Sequence, residues 1–255
     1  MNHQFKKKFG QNFIRDENLL KKIVSLSNLN DQDVVEIGPG MGALTKHIVE
    51  VAASLKAFEI DPALKPTLDE LQKKHSNLEI IYQDILTVDL HTFKNPFHVI
   101  GNIPYNITTP IIFKLSEVDE IKSITLMMQE EVGNRILALP NTKEYNALSV
   151  ILQHQYKVEK LIKVNKKMFY PVPKIDSVVI KMTPQKATDP VFNEFVKKCF
   201  KQKRKTLVNN LSKQLNIDKN SIQEALKKLG VDENIRAEAL NLHNFLDIQE
   251  ALKLK

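Results

Sequence analysis

The residues best suited to chemistry in this chain sit at the ends of short apolar runs. Gly38-Pro39-Gly40-Met41-Gly42 follows the run Asp33–Ile37 and precedes Ala43, Leu44, His47, Ile48 and Val51 at helical spacing. Strand, glycine-rich turn and helix in that order let the backbone approach a ligand with no Cβ between them. The glycines read G-x-G-x-G, not the full dinucleotide pattern, so neither nicotinamide nor flavin is assumed. Glu59 lies 21 positions past Gly38, at the end of the run Leu55–Ile60. A carboxylate there accepts hydrogen bonds from both hydroxyls of a ribose. Asp61 is the rival acid, but an Asp before a Pro more simply caps the next helix. Asp84 follows a third run, Leu78–Tyr82, and is in line to accept from an adenine amine or to cap its own loop.

A fourth run, Phe97–Ile100, ends in Gly101-Asn102-Ile103-Pro104-Tyr105-Asn106, and Thr108-Thr109-Pro110 then starts a helix. The turn sets a side-chain amide and an aromatic ring together on a proline-stiffened backbone. In open α/β sheets ligands bind beyond the carboxyl ends of the strands, which is where these residues fall. An ordinary proline-containing βα loop is the plainer reading of the same stretch.

The elements that must position these groups follow from periodicity. Asp16 caps a helix running through Ser27, with Leu19, Leu20, Ile23, Val24 and Leu26 as its apolar face. Ile121–Met128 is a fifth strand, followed by a helix from about Gln129 to Leu139, and Ala147–Gln155, Lys157–Val164 and Ser177–Met182 read as closing strands. The expected fold is α/β: a Rossmann-like, doubly wound, mainly parallel sheet with an antiparallel closing strand, plus a small all-helical C-terminal domain. The domains are expected at 1–184, with a basic N-terminal arm at Lys6-Lys7-Lys8, and at 185–255, where Asp189-Pro190 opens the first of several helices. Residues 1–184 carry 23 Lys/Arg against 21 Asp/Glu, and residues 185–255 carry 14 against 9. The basic excess is therefore concentrated in the shorter part, around Lys201-Gln202-Lys203-Arg204-Lys205, and suits a polyanionic partner.

Composition excludes several classes. A single cysteine, Cys199, rules out an intramolecular disulfide framework and a multi-cysteine zinc site. The seven histidines lack metal-ligand spacing, so no metal is expected. No apolar run approaches the roughly 18 residues of a membrane helix. Lys6–Lys8 leads into Gly10-Gln11-Asn12 rather than an apolar signal core, so a cytoplasmic, monomeric protein is expected.

Several motifs then fall in a familiar order. Gln11-Asn12-Phe13-Ile14, Glu36-Ile37-Gly38-Pro39-Gly40, Asn102-Ile103-Pro104-Tyr105, Lys143-Glu144-Tyr145, Phe169 to Ser177 and Arg204-Lys205-Thr206-Leu207 resemble those of the ribosomal RNA adenine dimethyltransferase family. That family lies within the class I S-adenosylmethionine-dependent methyltransferases, and the resemblance covers nearly the whole chain. It implies transfer of methyl groups from S-adenosyl-L-methionine to N6 of two adjacent adenosines, twice each, in the 3′-terminal hairpin loop of small-subunit ribosomal RNA. The partner is then that RNA or a precursor particle. It further implies that Asn12 and Ile14 close over the cofactor, Gly38 and Gly40 approach it, Glu59 holds its ribose and Asp84 meets its adenine amine. Asn102 would lie between cofactor and substrate, with the Asn102 oxygen and the Ile103 carbonyl accepting the amine hydrogens. Pro104 fixes the turn and Tyr105 stacks on the base, with Phe169 either on its other face or in the core.

Lys203, Arg204 and Lys205 contact phosphates in this reading, or otherwise form a solvated face. Ile14 and Ile103 stand where Leu is commoner in the family. Asn-Ile-Pro-Tyr also occurs in the related resistance-type methyltransferases of large-subunit RNA, so that turn does not separate the two branches. The basic tail and the Tyr145 segment favour the small-subunit branch. The alternatives are the resistance-type large-subunit enzyme, and a protein acting mainly as a non-catalytic assembly factor.

Overall fold

Strands buried on both faces are written as unbroken apolar runs, and such runs alternate here with crossovers long enough to return the chain parallel to itself. The computed structural model describes residues 13–14, 16–105 and 107–254. Its elements are β1 (Phe13–Ile14), α1 (Glu17–Ser27), β2 (Asp33–Ile37), α2 (Thr45–Ile48), β3 (Ser54–Phe58), α3 (Lys65–Lys74), β4 (Leu78–Ile81), β5 (Phe97–Asn102), α4 (Thr108–Ser116), β6 (Ile121–Gln129) and α5 (Glu130–Ile136). There follow α6 (Ala147–Gln155), β7 (Tyr156–Val164), β8 (Phe169–Tyr170), β9 (Ser177–Pro184), α7 (Pro190–Cys199), α8 (Leu207–Leu215), α9 (Lys219–Lys228) and α10 (Leu242–Ala251). Asn12 and Lys6–Lys8 lie outside the described residues.

Seven strands form one sheet in the order β4-β3-β2-β5-β6-β9-β7. The pairs β2–β3, β3–β4, β2–β5 and β5–β6 are parallel, and β9 lies antiparallel to β6. The chain thus moves outward through β2, β3 and β4, then crosses back to place β5 on the other side of β2. That reversal between β2 and β5 is the topological switch point, where open α/β sheets hold ligands. A separate ribbon pairs β1 antiparallel with β8, matching Phe13 to Tyr170 and Ile14 to Phe169.

Val34 of β2, Ile100 of β5 and Met127 of β6 share a core with Leu20, Ile23 and Val24 of α1 and with Ile48 and Leu68. Burying each such side chain contributes about 1.5–3 kcal/mol. Elsewhere Phe93 packs on Phe97 and Phe58, with ring centroids 5.0 and 6.5 Å apart. Helix starts fall where the capping chemistry puts them. Asp16 Oδ1 accepts from Leu19 N at 2.8 Å, and Asp189 caps α7 ahead of Pro190.

One expected strand is a helix. Ala147–Gln155 forms α6, capped reciprocally by the Asn146 and Ser149 side chains. Leu148 to Leu152 are all buried, so no polar face marks the helical period. The chain divides into two compact units: residues up to Gly133 with Lys157–Pro184, and Asn134–Tyr156 with the residues from Gln185 onward. The stretch 134–156, assigned by sequence to the first domain, is thus part of the second unit. Tyr145 ties it there, its hydroxyl donating to Leu240 O at 2.9 Å and its ring meeting Phe200 edge-on at 6.0 Å. Among the described residues, no helix is long and apolar enough to cross a membrane.

Candidate active site

Four strand ends deliver the candidate residues to one cavity. Gly38 and Gly40 follow β2, Glu59 follows β3, Asp84 follows β4, and Asn102 closes β5 before Ile103, Pro104 and Tyr105; all of them, with Phe13 and Ile14 of β1, line the same cavity.

The turn after β2 is shaped for close approach. Gly40 has φ +59°, and a Cβ there would come within 2.7 Å of the Phe13 ring. Its amide instead donates to Glu59 Oε2 at 3.1 Å, while Asp61 N donates to Glu59 Oε1 at 2.8 Å. Glu59 is only 4% exposed. Burial raises its acid above the ordinary carboxylate range, and the amides of Asp61, Gly40 and Ile60 oppose that rise. The carboxylate is therefore fixed in orientation while facing the cavity, as an acceptor for a diol must be. Asp61 caps the turn Pro62–Leu64 by accepting from Ala63 N, as its place before a proline suggests.

Asp84 caps its own loop and also reaches the cavity. Its Oδ1 accepts from Leu86 N at 2.9 Å, capping the turn Ile85–Thr87, and the residue also lines the cavity. A carboxylate has capacity for further donors beyond that cap.

The turn after β5 is held at both ends. Pro104 O accepts from Ile107 N at 3.2 Å and from the Thr108 hydroxyl at 3.3 Å, so its carbonyl closes the turn. The Ile103 side chain is buried, 1% exposed. The Tyr105 hydroxyl is 2.8 Å from Ser177 Oγ at the start of β9; burial raises its pKa above the ordinary tyrosine value, and that hydrogen bond opposes the rise. Ser177 therefore anchors the aromatic ring, a role its place at the end of the Phe169–Ser177 motif did not disclose.

Phe169 is not brought to the cavity. It is 2% exposed and packs in the core with Ile14, its β1 partner. The core alternative for this residue is the one the structure displays. Lys203, Arg204 and Lys205 are exposed in the second unit, just before α8.

Glu36 was not singled out by type or spacing. It lines the cavity from β2, is 1% exposed, and its Oε2 has no hydrogen-bond partner among the described residues. Burial pushes its acid up to about 8. The readable signal was an acid placed between Val35 and Ile37 in an otherwise apolar strand.

The lining thus offers Glu36, Glu59 and Asp84, and no lysine or arginine among the described residues. A phosphate-bearing nucleotide would find acidic side chains and no cation to pair with in this lining, whereas a ligand that carries positive charge and a ribose needs none. S-adenosylmethionine, with its sulfonium and ammonium groups and no phosphate, fits that donor set. Among the described residues, no group of three or more His, Cys, Asp or Glu is arranged to hold a metal.

The chain is similar to known proteins along nearly its whole length. The family described as ribosomal RNA adenine dimethylase matches residues 2–254. Ribosomal RNA small subunit methyltransferase A of Aster yellows witches'-broom phytoplasma (strain AYWB) is 48% identical over 256 residues, spanning 96% of this chain and 95% of the relative. The protein of the same name from Bacillus thuringiensis (strain Al Hakam) is 40% identical over 268 residues, spanning 98% and 92%. Among solved structures, a dimethyladenosine transferase from Plasmodium falciparum superposes with TM-score 0.82 at 26% identity, covering 94% of this chain and 97% of that one. The 23S rRNA methyltransferase ErmE superposes with TM-score 0.74 at 27% identity, covering 94% and 99%. With a full-length family match and relatives at these identities, the chain belongs to the ribosomal RNA adenine dimethylase family.

Proposed function

We propose that this protein transfers methyl groups from S-adenosyl-L-methionine to N6 of two adjacent adenosines in the 3′-terminal hairpin loop of small-subunit ribosomal RNA. The observation that carries the reading is the convergence of the Asn102–Tyr105 turn with Gly40 and Glu59 in one cavity at the β2/β5 switch point. The small-subunit choice is supported by the names of relatives at 48% and 40% identity, against 27% for the large-subunit enzyme ErmE.

The bound cofactor supplies an electrophilic methyl on a sulfonium. Glu59 accepts from the ribose hydroxyls, Asp84 from the adenine amine, and Ile14 covers the site together with Asn12, which lies outside the described residues. The substrate amine is a weak nucleophile because its lone pair is delocalised into the purine ring. Asn102 Oδ1 and the Ile103 carbonyl accept its two hydrogens and favour a pyramidal nitrogen with the lone pair aimed at the methyl. Pro104 O is occupied within the turn, which leaves the preceding carbonyl for this task. Tyr105 stacks on the unpaired base, the usual way of holding a base taken out of its stack. The methylated nitrogen is acidic and loses its proton to water, so no strong base is required. After one methyl is added, a single N–H remains, and one acceptor suffices to aim the second transfer.

Purified protein, labelled cofactor and unmethylated small-subunit particles test this, with protein-free large-subunit RNA as comparison. Mass spectrometry is expected to find dimethyladenosine at two adjacent positions of the small-subunit RNA alone. Asn102→Ala is expected to lose about 100-fold in turnover, the scale of misplacing a reacting atom, while still binding cofactor. Methylation confined to large-subunit RNA would overturn the proposal.

A further inference from the structure

Four of the ten large hydrophobic side chains that stand exposed among the described residues fall within eight positions: Met168, Tyr170, Val172 and Ile175, at 42%, 46%, 58% and 37% exposure. Grouped apolar exposure marks a contact surface rather than random surface composition. The segment is well anchored. Asp176 Oδ1 accepts from Lys166 N at 3.0 Å, and Asp176 O accepts from Glu130 N at 3.0 Å. Lys166 Nζ donates to Lys174 O at 3.2 Å, which ties the two ends of the loop together. Between these ties Phe169 is sunk in the core, and the strand alternation therefore turns its neighbour Tyr170 outward.

Two features say what covers this ridge. It is continuous with the cavity: β8 pairs with β1, whose Phe13 and Ile14 line it, and Ser177 just past the ridge holds Tyr105. It is also basic. Lys166, Lys167 and Lys174 are exposed, and among the described residues neither Lys167 nor Lys174 has an acidic partner in an ion pair. An aromatic face bordered by lysines is how single-stranded nucleic acid is gripped, by base stacking with cations along its backbone.

We propose that Tyr170 and its apolar neighbours form a platform for an unpaired RNA base next to the one inserted at Tyr105, with Lys167 and Lys174 on the phosphates. The inference rests on the reading of the cavity as the adenine site. It adds a second stacking position, which selects for a run of unpaired nucleotides rather than one flipped base.

Tyr170→Ala and Tyr170→Phe, in the full chain, decide it. Filter binding to protein-free small-subunit RNA is expected to weaken about tenfold in Tyr170→Ala, within the range of one lost base–aromatic stack, and to be restored in Tyr170→Phe. The KM for unmethylated particles is expected to rise with it, while cofactor affinity by calorimetry stays at the wild-type value and certifies the fold. A 2-aminopurine placed beside the target adenine is expected to be quenched by wild type and Tyr170→Phe but not by Tyr170→Ala. Wild-type RNA affinity in Tyr170→Ala overturns the platform alone. An effect on intact particles without one on protein-free RNA assigns the ridge to a ribosomal protein and overturns it too. A wild type that methylates neither RNA brings down the underlying reading, and the platform with it.

Discussion

Glu36 shows at the scale of one residue what this site costs the fold. Its carboxyl is wholly buried, and burial, with the Glu59 carboxylate nearby adding to it, raises the acid from 4.5 to about 8. The Thr45 hydroxyl is near enough to oppose the rise, yet it makes no hydrogen bond itself among the described residues. Between these two pH values the folded chain holds a proton that the unfolded chain has released. Stability therefore falls as pH rises through that window, by about 1.4 kcal/mol per unit, and Glu36 adds no further pH dependence below or above it. Glu36→Gln keeps the shape and removes the titration. Urea unfolding at pH 5, 6.5 and 8 is expected to show the variant gaining on wild type by a few kcal/mol between the extremes, on the order of that slope. The change with pH carries the test, since a buried amide has its own fixed cost. Parallel profiles for the two proteins would show that Glu36 is ionised in the fold.

At the scale of elements, the site depends on how closely β2 and β5 approach. Gly101 pairs with Ile37, and a Cβ on it would lie 2.5 Å from the Ile37 carbonyl oxygen. Backbone cannot swing aside as a side chain can, so Gly101→Ala is expected to part the strand ends that carry Gly38 and Asn102. Over-packing of this kind costs about 1–3 kcal/mol, visible as a lowered melting temperature, and methyl transfer should fall further than cofactor affinity. A variant melting with wild type would mean that the sheet absorbs the methyl group. The same strands were the most readable part of the sequence. Asp33–Ile37 stands where its apolar run put it, because a strand buried on both faces needs no partner to reveal it. Helix α6 was misread for the converse reason: with Leu148, Val150, Ile151 and Leu152 all buried, its pattern fits a strand equally well, and only the Asn146 and Ser149 caps distinguish it. Phe169 and Tyr170 differ by a parity that local sequence does not contain. Which ring goes inward is set by the pairing of β8 with β1, from residues far away in the chain.

At the scale of the whole molecule, the redrawn units sharpen the distribution of charge. Moving Arg135, Lys143 and Glu144 into the second unit raises its net charge from +5 to +6, of +7 for the full chain. Within that unit the basic turn before α8 is built rather than loose. Asn210, 2% exposed, accepts from Gln202 N at 2.9 Å and donates to Gln202 O at 3.0 Å, and Thr206 caps α8. Lys203 Nζ reaches Lys143 O at 3.2 Å, another tie within the unit. Lys203, Arg204 and Lys205 have no acidic partner in an ion pair among the described residues, so their charge is not cancelled locally. A solvated face and a phosphate-binding turn look alike in sequence, but they respond differently to salt. Each cation that displaces a counterion from RNA contributes about 0.7–0.9 to the slope of log affinity against log salt. Replacing all three with Gln is therefore expected to flatten that slope by about 2 for small-subunit RNA, with cofactor affinity unchanged. Affinity at high salt should converge on the wild-type value, since only the electrostatic part of binding is removed. An unaltered slope would return these residues to the solvated face and leave the excess charge of the second unit to act through its other lysines.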